Sequence, residues 1–546
     1  MIAPGYMHGS LPCLLMICLL LPAPVIHAQK VTRLEIMNAE LTAFDVKLGK
    51  DARKLIGDVQ LKHEDVIMSC DSAYFYASTG SVDAFSHVRV AQGDTLTLTG
   101  DRAHYDGVTR LAMVRRNVKL VNNDITLVTD SLNYYRAAGI ATYLGGGLLT
   151  QEEKQLTSGR GRFLLDTEIF FFMDSVVITH PEYTIHTDSL KYDTHSEIAY
   201  FFGPTEIISE ERYIYCENGW YDTKQDISFV TDKAYLEEGD HILSGDTLYY
   251  EAGVGFGRAR SNVTLVDTVE HMTLKGNFGL YYSDQETAMI TDSALMIQVD
   301  GTDTMYMHAD TLRSMQNPDT TGQGRILKAY YRVKIYRPDI QVMCDSLVYI
   351  EADSAFDFFG EPVLWSDENQ LSASHIRVVM VNQQLHRMYL TGVAMVVSQK
   401  DSTKFDQMRG KEMTGYFKDN KLTRILVTGN GQTIYYAVDR DIIVGANKTQ
   451  CTNLMIYLKE NKISRVNYMA KPDGTYYPLE LFPSEESHLS DFKWVVQWRP
   501  LDWLDVFRWK QTEGETVTVK SATGETSTGE TSTGKTGGVK AKDTLN

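Results

Sequence analysis

The sequence is poor in the residues that break or staple a chain. It holds 13 prolines and 6 cysteines in 546 residues, where an average protein has about 5% proline. Proline donates no backbone N–H and interrupts ladders, so its scarcity leaves long stretches free for sheet. Basic charge is short too: 53 Lys and Arg face 71 Asp and Glu, a formal charge of -18. That argues against a nucleic-acid partner, because phosphate binding needs a basic surface. There is no nucleophile elbow, phosphate loop, HExxH or CxxC motif. The 14 histidines, among them His63, His87, His104 and His186, are scattered without metal-ligand spacing. Neither a catalytic centre, a metal nor a cofactor is expected.

Apolar runs are equally rare. The one of note, Leu11 to Leu21, is broken only by Pro12 and Cys13, and small residues follow up to Ala28 before Gln29. Residues 1–28 are therefore expected to be a secretory signal peptide, although no Lys or Arg precedes the run. The run is too short for a membrane span. Neither Cys13 nor Cys18 follows the small residues of a lipoprotein signal. The mature protein is expected to be exported and soluble.

What the sequence does have is a phrase that returns. It reads TDSLNYY at Thr129–Tyr135, with variants CDSAYFY from Cys70, GDRAHYD from Gly100, TDSLKYD from Thr187, CENGWYD from Cys216, GDTLYY from Gly245 and CDSLVYI from Cys344. Taking the acid as position zero gives Asp71, Asp101, Asp130, Asp188, Glu217 and Asp246, with Gly159 as a degenerate copy in the one double step. The period is about 29 residues, and looser copies follow at Asn277, Asp310, Asp345, Lys411 and Thr452. Such a period marks a repeat architecture whose units contact only their neighbours.

Each repeat carries two strand-like stretches. One has a Val-x-Leu core, as in GDVQL from Gly57, HVRV from His87, NVKL from Asn117 and NVTL from Asn262. The other holds the phrase, and its alternation changes phase at the acid. Apolar residues sit at −5 and −3, such as Leu96 and Leu98, and then at +2 and +4, such as Leu132 and Tyr134. A strand keeps one buried face only while its period holds, so the flip implies a bulge or bend at the acid. Both arms of the bent strand would then face one apolar interior. The fold class expected is all-β: an elongated open β-jelly roll, a V-shaped antiparallel strand stack built from repeats of about 29 residues. At ~4.8 Å per strand it would be roughly 110 Å long.

The repeat also assigns the cysteines. Cys70, Cys216, Cys344 and Cys451 all occupy the slot before position zero, which elsewhere holds Gly100, Thr129, Thr187, Gly245, Gly276 and Ala309. A small side chain is required there. Copies several rungs apart lie beyond the ~7 Å Cα limit of a disulfide, so buried free thiols are expected. The recurring acids are read as bulge or turn residues. Catalytic carboxylates come as one local pair, and one carboxylate per rung gives calcium too few ligands. Gly145, Gly146 and Gly147 are read as a turn or bulge.

The domain plan expected is a first jelly roll over 29–316, a break at Asn317–Gly324, and a second section or continuation over 325–470. Residues 471–510 hold Trp494, Trp498, Trp503 and Trp509 and are read as a terminal cap or docking segment. The polar tail 511–546, with GETSTGETSTGKTGG, is expected to be disordered.

Together, the leader, the repeated phrase and the G-x-V-x-L strand resemble the OstA-like proteins, relatives of the periplasmic lipopolysaccharide-transport protein LptA and of the N-terminal domain of LptD. The resemblance covers roughly residues 31–470. It implies a twisted open jelly roll whose apolar groove carries the acyl chains of lipopolysaccharide. It further implies a periplasmic location, possible association with the outer membrane and its assembly machinery, and end-to-end strand addition to other jelly-roll proteins of a transport bridge. The groove candidates are Leu127, Leu132, Tyr134, Ile185, Leu190, Tyr192, Leu243, Leu248, Tyr250, Leu347 and Tyr349. Lining a groove and filling a closed core are both open to them. The acidic surface favours recognition of lipid A by its tails. Two rivals stand: a structural or adhesive β-rod of the envelope, and a carbohydrate-active β-helix enzyme, against which the two-stretch period and the phase flip count.

Overall fold

From Ala52–His63 to Met272–Tyr282 every second strand carries one residue more than its partners, and that extra residue bends the sheet. Strands holding the phrase are 11 residues long, such as Leu96–Asp106 and Tyr183–Asp193, and alternate with strands of 12, such as Leu111–Asn122 and Ile198–Ser209. In register, Asp174 and Ser175 together stand opposite Asp188 alone. The computed structural model describes residues 34–44, 51–301, 303–318, 324–382, 384–459 and 462–510. The expected signal peptide and polar tail lie outside them. The described residues are strands joined by short turns, without an α-helix.

The chain falls into two compact units, Met1–Asn123 and Asp124–Asn546, a division for which the repeat pattern gives no sign. In the first, bent strands run antiparallel in chain order from Ala52–His63 to Leu111–Asn122. Glu35–Asn38 and Leu41–Phe44 pair with the two halves of Ala52–His63 as a split edge. In the second unit the ladder begins at Ile125–Tyr135 and reaches Ile442–Lys459, whose halves pair with Lys462–Met469 and Asp473–Pro478. The strands flanking Asn317–Gly324 pair directly, Gln316 opposite Arg325, so the ladder continues through that break. The bent strand splits in two successive rungs within the ladder, first into Ala355–Phe359 and Val363–Ser366, then into Asn369–Ser372 and His375–Val381. Pro362 stands at the first gap, where a missing N–H costs no ladder bond.

The phase flip appears in burial as expected. Leu96, Leu98 and Gly100 are buried before the bend, Ala103 and Tyr105 after it, and Asp101 and Arg102 are exposed between them. The acid marks the bend, but the inserted residue belongs to the neighbouring strand. There, paired positive φ angles make the corner: Arg116 and Asn117, Asp232 and Lys233, Ser261 and Asn262. The acid clips that corner. In the first unit Asn117 Nδ2 donates to Asp101 at 2.9 Å and His87 Nδ1 lies 2.8 Å from Asp71. In the second, Lys233 Nζ donates to Glu217 at 2.6 Å and Asn262 Nδ2 to Asp246 at 3.0 Å. Gly145 and Gly146, φ 91° and 102°, make a corner without side chains, and Thr129 Oγ1 donates to the Gly146 carbonyl at 2.6 Å.

The slot before the acid is small because it faces the next strand's arm at close range. A Cβ on Gly276 would lie 2.5 Å from Ile290 Cγ2 and 2.8 Å from a backbone oxygen. Cys70, Cys216, Cys344 and Cys451 fill the same slot as buried free thiols. Burial pushes the Cys70 thiol up to about 11 and that of Cys216 to about 12, so they stay protonated and unreactive. The phrase's last acid has a separate task. Asp193 Oδ1 accepts from the backbone of His195 and Ser196 at 3.0 and 3.1 Å, and Asp222 repeats this with Lys224 and Gln225. These are Asx turns that reverse the chain at a hairpin end.

The Trp-rich segment from Leu479 to Lys510 forms no strand. It is a strap across the outer face of the second unit's later strands. Leu479, Phe482, Phe492 and Trp494 pack on Met395, Val397, Phe405, Ile434 and Tyr436, and Val495, Trp498 and Trp509 on Met343, Val363 and Trp365. Buried glutamines hold its backbone as a strand partner would. Gln407 donates to the Ser487 carbonyl at 2.8 Å and accepts from Leu489 N–H at 2.7 Å; Gln370 does the same with Lys493 and Val495 at 2.7 and 2.9 Å. Lys334 Nζ donates to the Arg508 carbonyl, and burial lowers this amine to about 8.

Candidate functional site

Between the two arms of the second unit lies a continuous apolar interior built from the phrase. Leu127, Leu132, Tyr134, Ile185, Leu190, Tyr192, Leu243, Leu248, Tyr250 and Leu347 are 0–7% exposed, and Tyr349 is half-buried. Leu127 and Leu132 belong to opposite arms of one strand. Leu190 sits in register between Phe172 and Phe201, and Leu248 between Val230 and Ala259. Phe163, Phe170 and Phe172 stack at centroid distances of 3.8 and 5.3 Å, so neighbouring rungs interlock. Side chains of the two arms fill the space between them.

The hairpin ends form two rims along the mouth of this interior. In the second unit, one rim carries the turns after Gln151, His180, Ser209, Glu238 and Asp267; the other carries those after Tyr135, Leu164, Asp193, Asp222, Glu251 and Tyr282. Polar contacts cross from rim to rim. Lys154 Nζ reaches the Glu197 carboxylate and, at 2.9 Å, Thr223 Oγ1. Arg212 donates to Asp226 at 3.0 Å, Tyr250 OH to Glu238 at 2.9 Å, and Arg325 to Asp267 at 2.9 Å. Rings meet as well: Tyr183 with Tyr221 at 5.3 Å and His241 with Tyr281 at 5.6 Å. A small cleft opens here, lined by His241, Asp267, Tyr281, Glu286, Ser314 and Arg325. The first unit has its own crossings, His63 to Tyr105 OH at 2.6 Å and Arg110 to Glu64 at 3.1 Å.

These crossings explain the tyrosine at +4. At Tyr105, Tyr221 and Tyr250 the ring belongs to the apolar interior while the hydroxyl meets a polar partner at the mouth, a division of labour an amphipathic aromatic supplies. Burial and the nearby Glu238 push the Tyr250 phenol far above its ordinary value, so it remains a donor. The rim acids and bases recur with the repeat, Lys154 in the slot of Arg212 and Glu197 in the slot of Asp226, but these slots lie in the turns outside the phrase, and the sequence does not say which turn meets which across the mouth. The outer-face contacts of the strap did leave a trace in the sequence: EPVLWS and VAMVV are apolar at both parities, as a strand buried on two faces must be.

The Lys154–Glu197 and Arg212–Asp226 pairs are partly exposed, and such contacts are worth roughly 0.2–1 kcal/mol each, whereas Asp267 and Tyr250 are buried. Parting the rims therefore breaks a few weak contacts and no ladder hydrogen bond. The larger cost is the apolar surface laid bare, about 25 cal/mol per Å². A ligand that covers this surface removes that cost. The arrangement can thus hold long apolar chains with a polar group at the mouth. Among the described residues, no group of three or more His, Cys, Asp or Glu side chains is placed to hold a metal ion.

Comparison with known proteins agrees with this geometry. No curated protein matches the chain. The model of the family described as OstA-like protein matches residues 31–188 and 176–240. That stretch takes in the first unit and the early strands of the second. OstA-like proteins form a transport and binding family associated with lipopolysaccharide, not a family of enzymes. Residues 31–240 are thus similar to the OstA-like family.

Proposed function

We propose that this protein is a non-enzymatic carrier of lipopolysaccharide in the cell envelope, holding acyl chains between the arms while the sugars stay in water. The observation that carries the reading is the unbroken apolar interior beneath a mouth closed only by side-chain contacts. Lipid tails need non-directional apolar contact, and every rung offers it at similar strength. Chains can therefore pass from rung to rung without chemistry. Export to the periplasm belongs to this proposal, as does strand addition at the split edges to other jelly-roll proteins leading to the outer membrane.

A second reading, a structural β-stack without cargo, draws support from the filled interior. Mass spectrometry of lipids retained by protein purified from its native envelope separates the two. The carrier reading predicts lipid A species at stoichiometric levels. Protein free of lipid, under extraction that keeps a known carrier loaded, would favour the structural stack.

A further inference from the structure

One point of the mouth differs from the rest. Tyr105, Tyr221 and Tyr250 each spend the phenol on a partner: His63 at 2.6 Å, Asp226 at 2.9 Å and Glu238 at 2.9 Å. Tyr183 and Tyr192 do not. Both are buried, 6% and 4% exposed, and neither hydroxyl has a partner of good hydrogen-bond geometry, the nearest for each being the Thr223 hydroxyl, which they would share. They stand on opposite rims beside Thr223 and under Lys154 and Glu197. The Tyr183 ring is fixed edge-on against Tyr221 at 5.3 Å, so its hydroxyl cannot swing to water.

The donors around this point exceed the acceptors. An ammonium has three protons, and Lys154 directs two of them to Glu197 and Thr223. Thr223 in turn gives its own proton to the Glu197 carbonyl at 2.9 Å. That leaves one ammonium proton and two phenols for the lone pairs that remain on Thr223 and Glu197. Burial pushes both phenols up to about 12, so they keep their protons across the physiological range. Buried donors without partners are costly, and a cluster of them is satisfied only by an acceptor that the chain does not itself supply.

We infer that Lys154, Thr223, Tyr183 and Tyr192 form a binding site for the oxyanion of an amphiphile, a phosphate or carboxylate at the junction between its polar head and its apolar chain. This rests on the carrier reading, because the chain would run into the interior below. Glu197 is the occupant to be displaced, and it has somewhere to go: Lys224 Nζ lies 3.9 Å from its other oxygen. An arriving oxyanion takes the ammonium and two phenols, and charge-assisted bonds of this kind are about twice as strong as neutral ones. The site would fix where along the ladder a head group pauses.

The test uses the full-length mature chain and two amphiphiles with the same tail below their micellar concentrations: dodecyl phosphate and the uncharged dodecyl glucoside. Calorimetry on the unaltered protein should show the phosphate bound about tenfold or more tightly than the glucoside. In the Tyr183→Phe/Tyr192→Phe protein the ratio should fall close to one, with a melting temperature equal to or above the parent's, since the hydroxyls removed had no partner of good geometry. A ratio unchanged by the double substitution overturns the site. Inorganic phosphate binding as tightly as dodecyl phosphate would also overturn it, assigning the cluster to a free anion. If neither amphiphile binds the unaltered protein, it is the carrier reading itself that fails.

Discussion

With Lys154→Cys and Glu197→Cys joined by a short bis-maleimide, the second unit is expected to take up no acyl chains. The two positions lie on opposite rims and their native side chains already touch. A covalent bridge there replaces a contact worth roughly 1 kcal/mol or less with one that thermal motion cannot open. The four native thiols of the described residues do not compete for the reagent, because they are buried and held protonated. Uptake is read with a fluorescent fatty-acyl probe. Without cross-linker, the same double-cysteine protein should load an uncharged fatty-acyl ester at least as readily as the parent, having lost one mouth contact. Equal loading with and without the bridge would mean that chains do not enter between these rims.

Replacing Phe170 by Ala is expected to destabilise the second unit by about 3–5 kcal/mol, the range for deleting a buried aromatic. The ring is 1% exposed and stacked on both sides, against Phe163 and Phe172. Its removal leaves a cavity that backbone held in ladders on either side cannot collapse to fill. Because repeats transmit stability to their neighbours, the loss should be local. Hydrogen exchange should quicken in Lys154–Leu164, Ile169–His180 and Tyr183–Asp193, with little change in the first unit. Uniform loss of protection over both units would contradict the division into repeats that stabilise only their neighbours.

The fold was largely legible because a strand's period is strict. Once Leu96 and Leu98 gave way to Ala103 and Tyr105 across Asp101, a bend was required, and repetition fixed its spacing. The acid's position was readable and its mechanism was not, since the bulge sits on the partner strand and only the fold places Asn117 against Asp101. The cysteines were read correctly from their slot, because the other occupants of that slot are small. The interior residues were identified as a file, but periodicity gives the inward direction and no depth. That Leu132 and Ile185 meet a filled interior depends on how near the opposite arm lies. The rim contacts were hidden for the same reason: Lys154 and Glu197 stand in slots that recur as Arg212 and Asp226, yet which turn meets which depends on how the arms close. The strap's tryptophans stood out by composition, while their surface was hidden in strands apolar on both faces, a signal overshadowed by the repeat.

The filled interior also shapes the choice of probes. A carboxylate placed at Tyr134 or Tyr192 would be buried without a partner and would unfold the local ladder, so loss of lipid from such a variant would say nothing about cargo. A photoreactive aromatic of similar shape avoids that. The most direct test places benzoylphenylalanine in living cells at Tyr134 and Tyr349, which face the interior, and at Tyr200, which faces outward on the same sheet. After irradiation, the carrier account predicts lipopolysaccharide adducts at Tyr134 and Tyr349 and none at Tyr200. Adducts absent from both interior positions, or equal at all three, would contradict it.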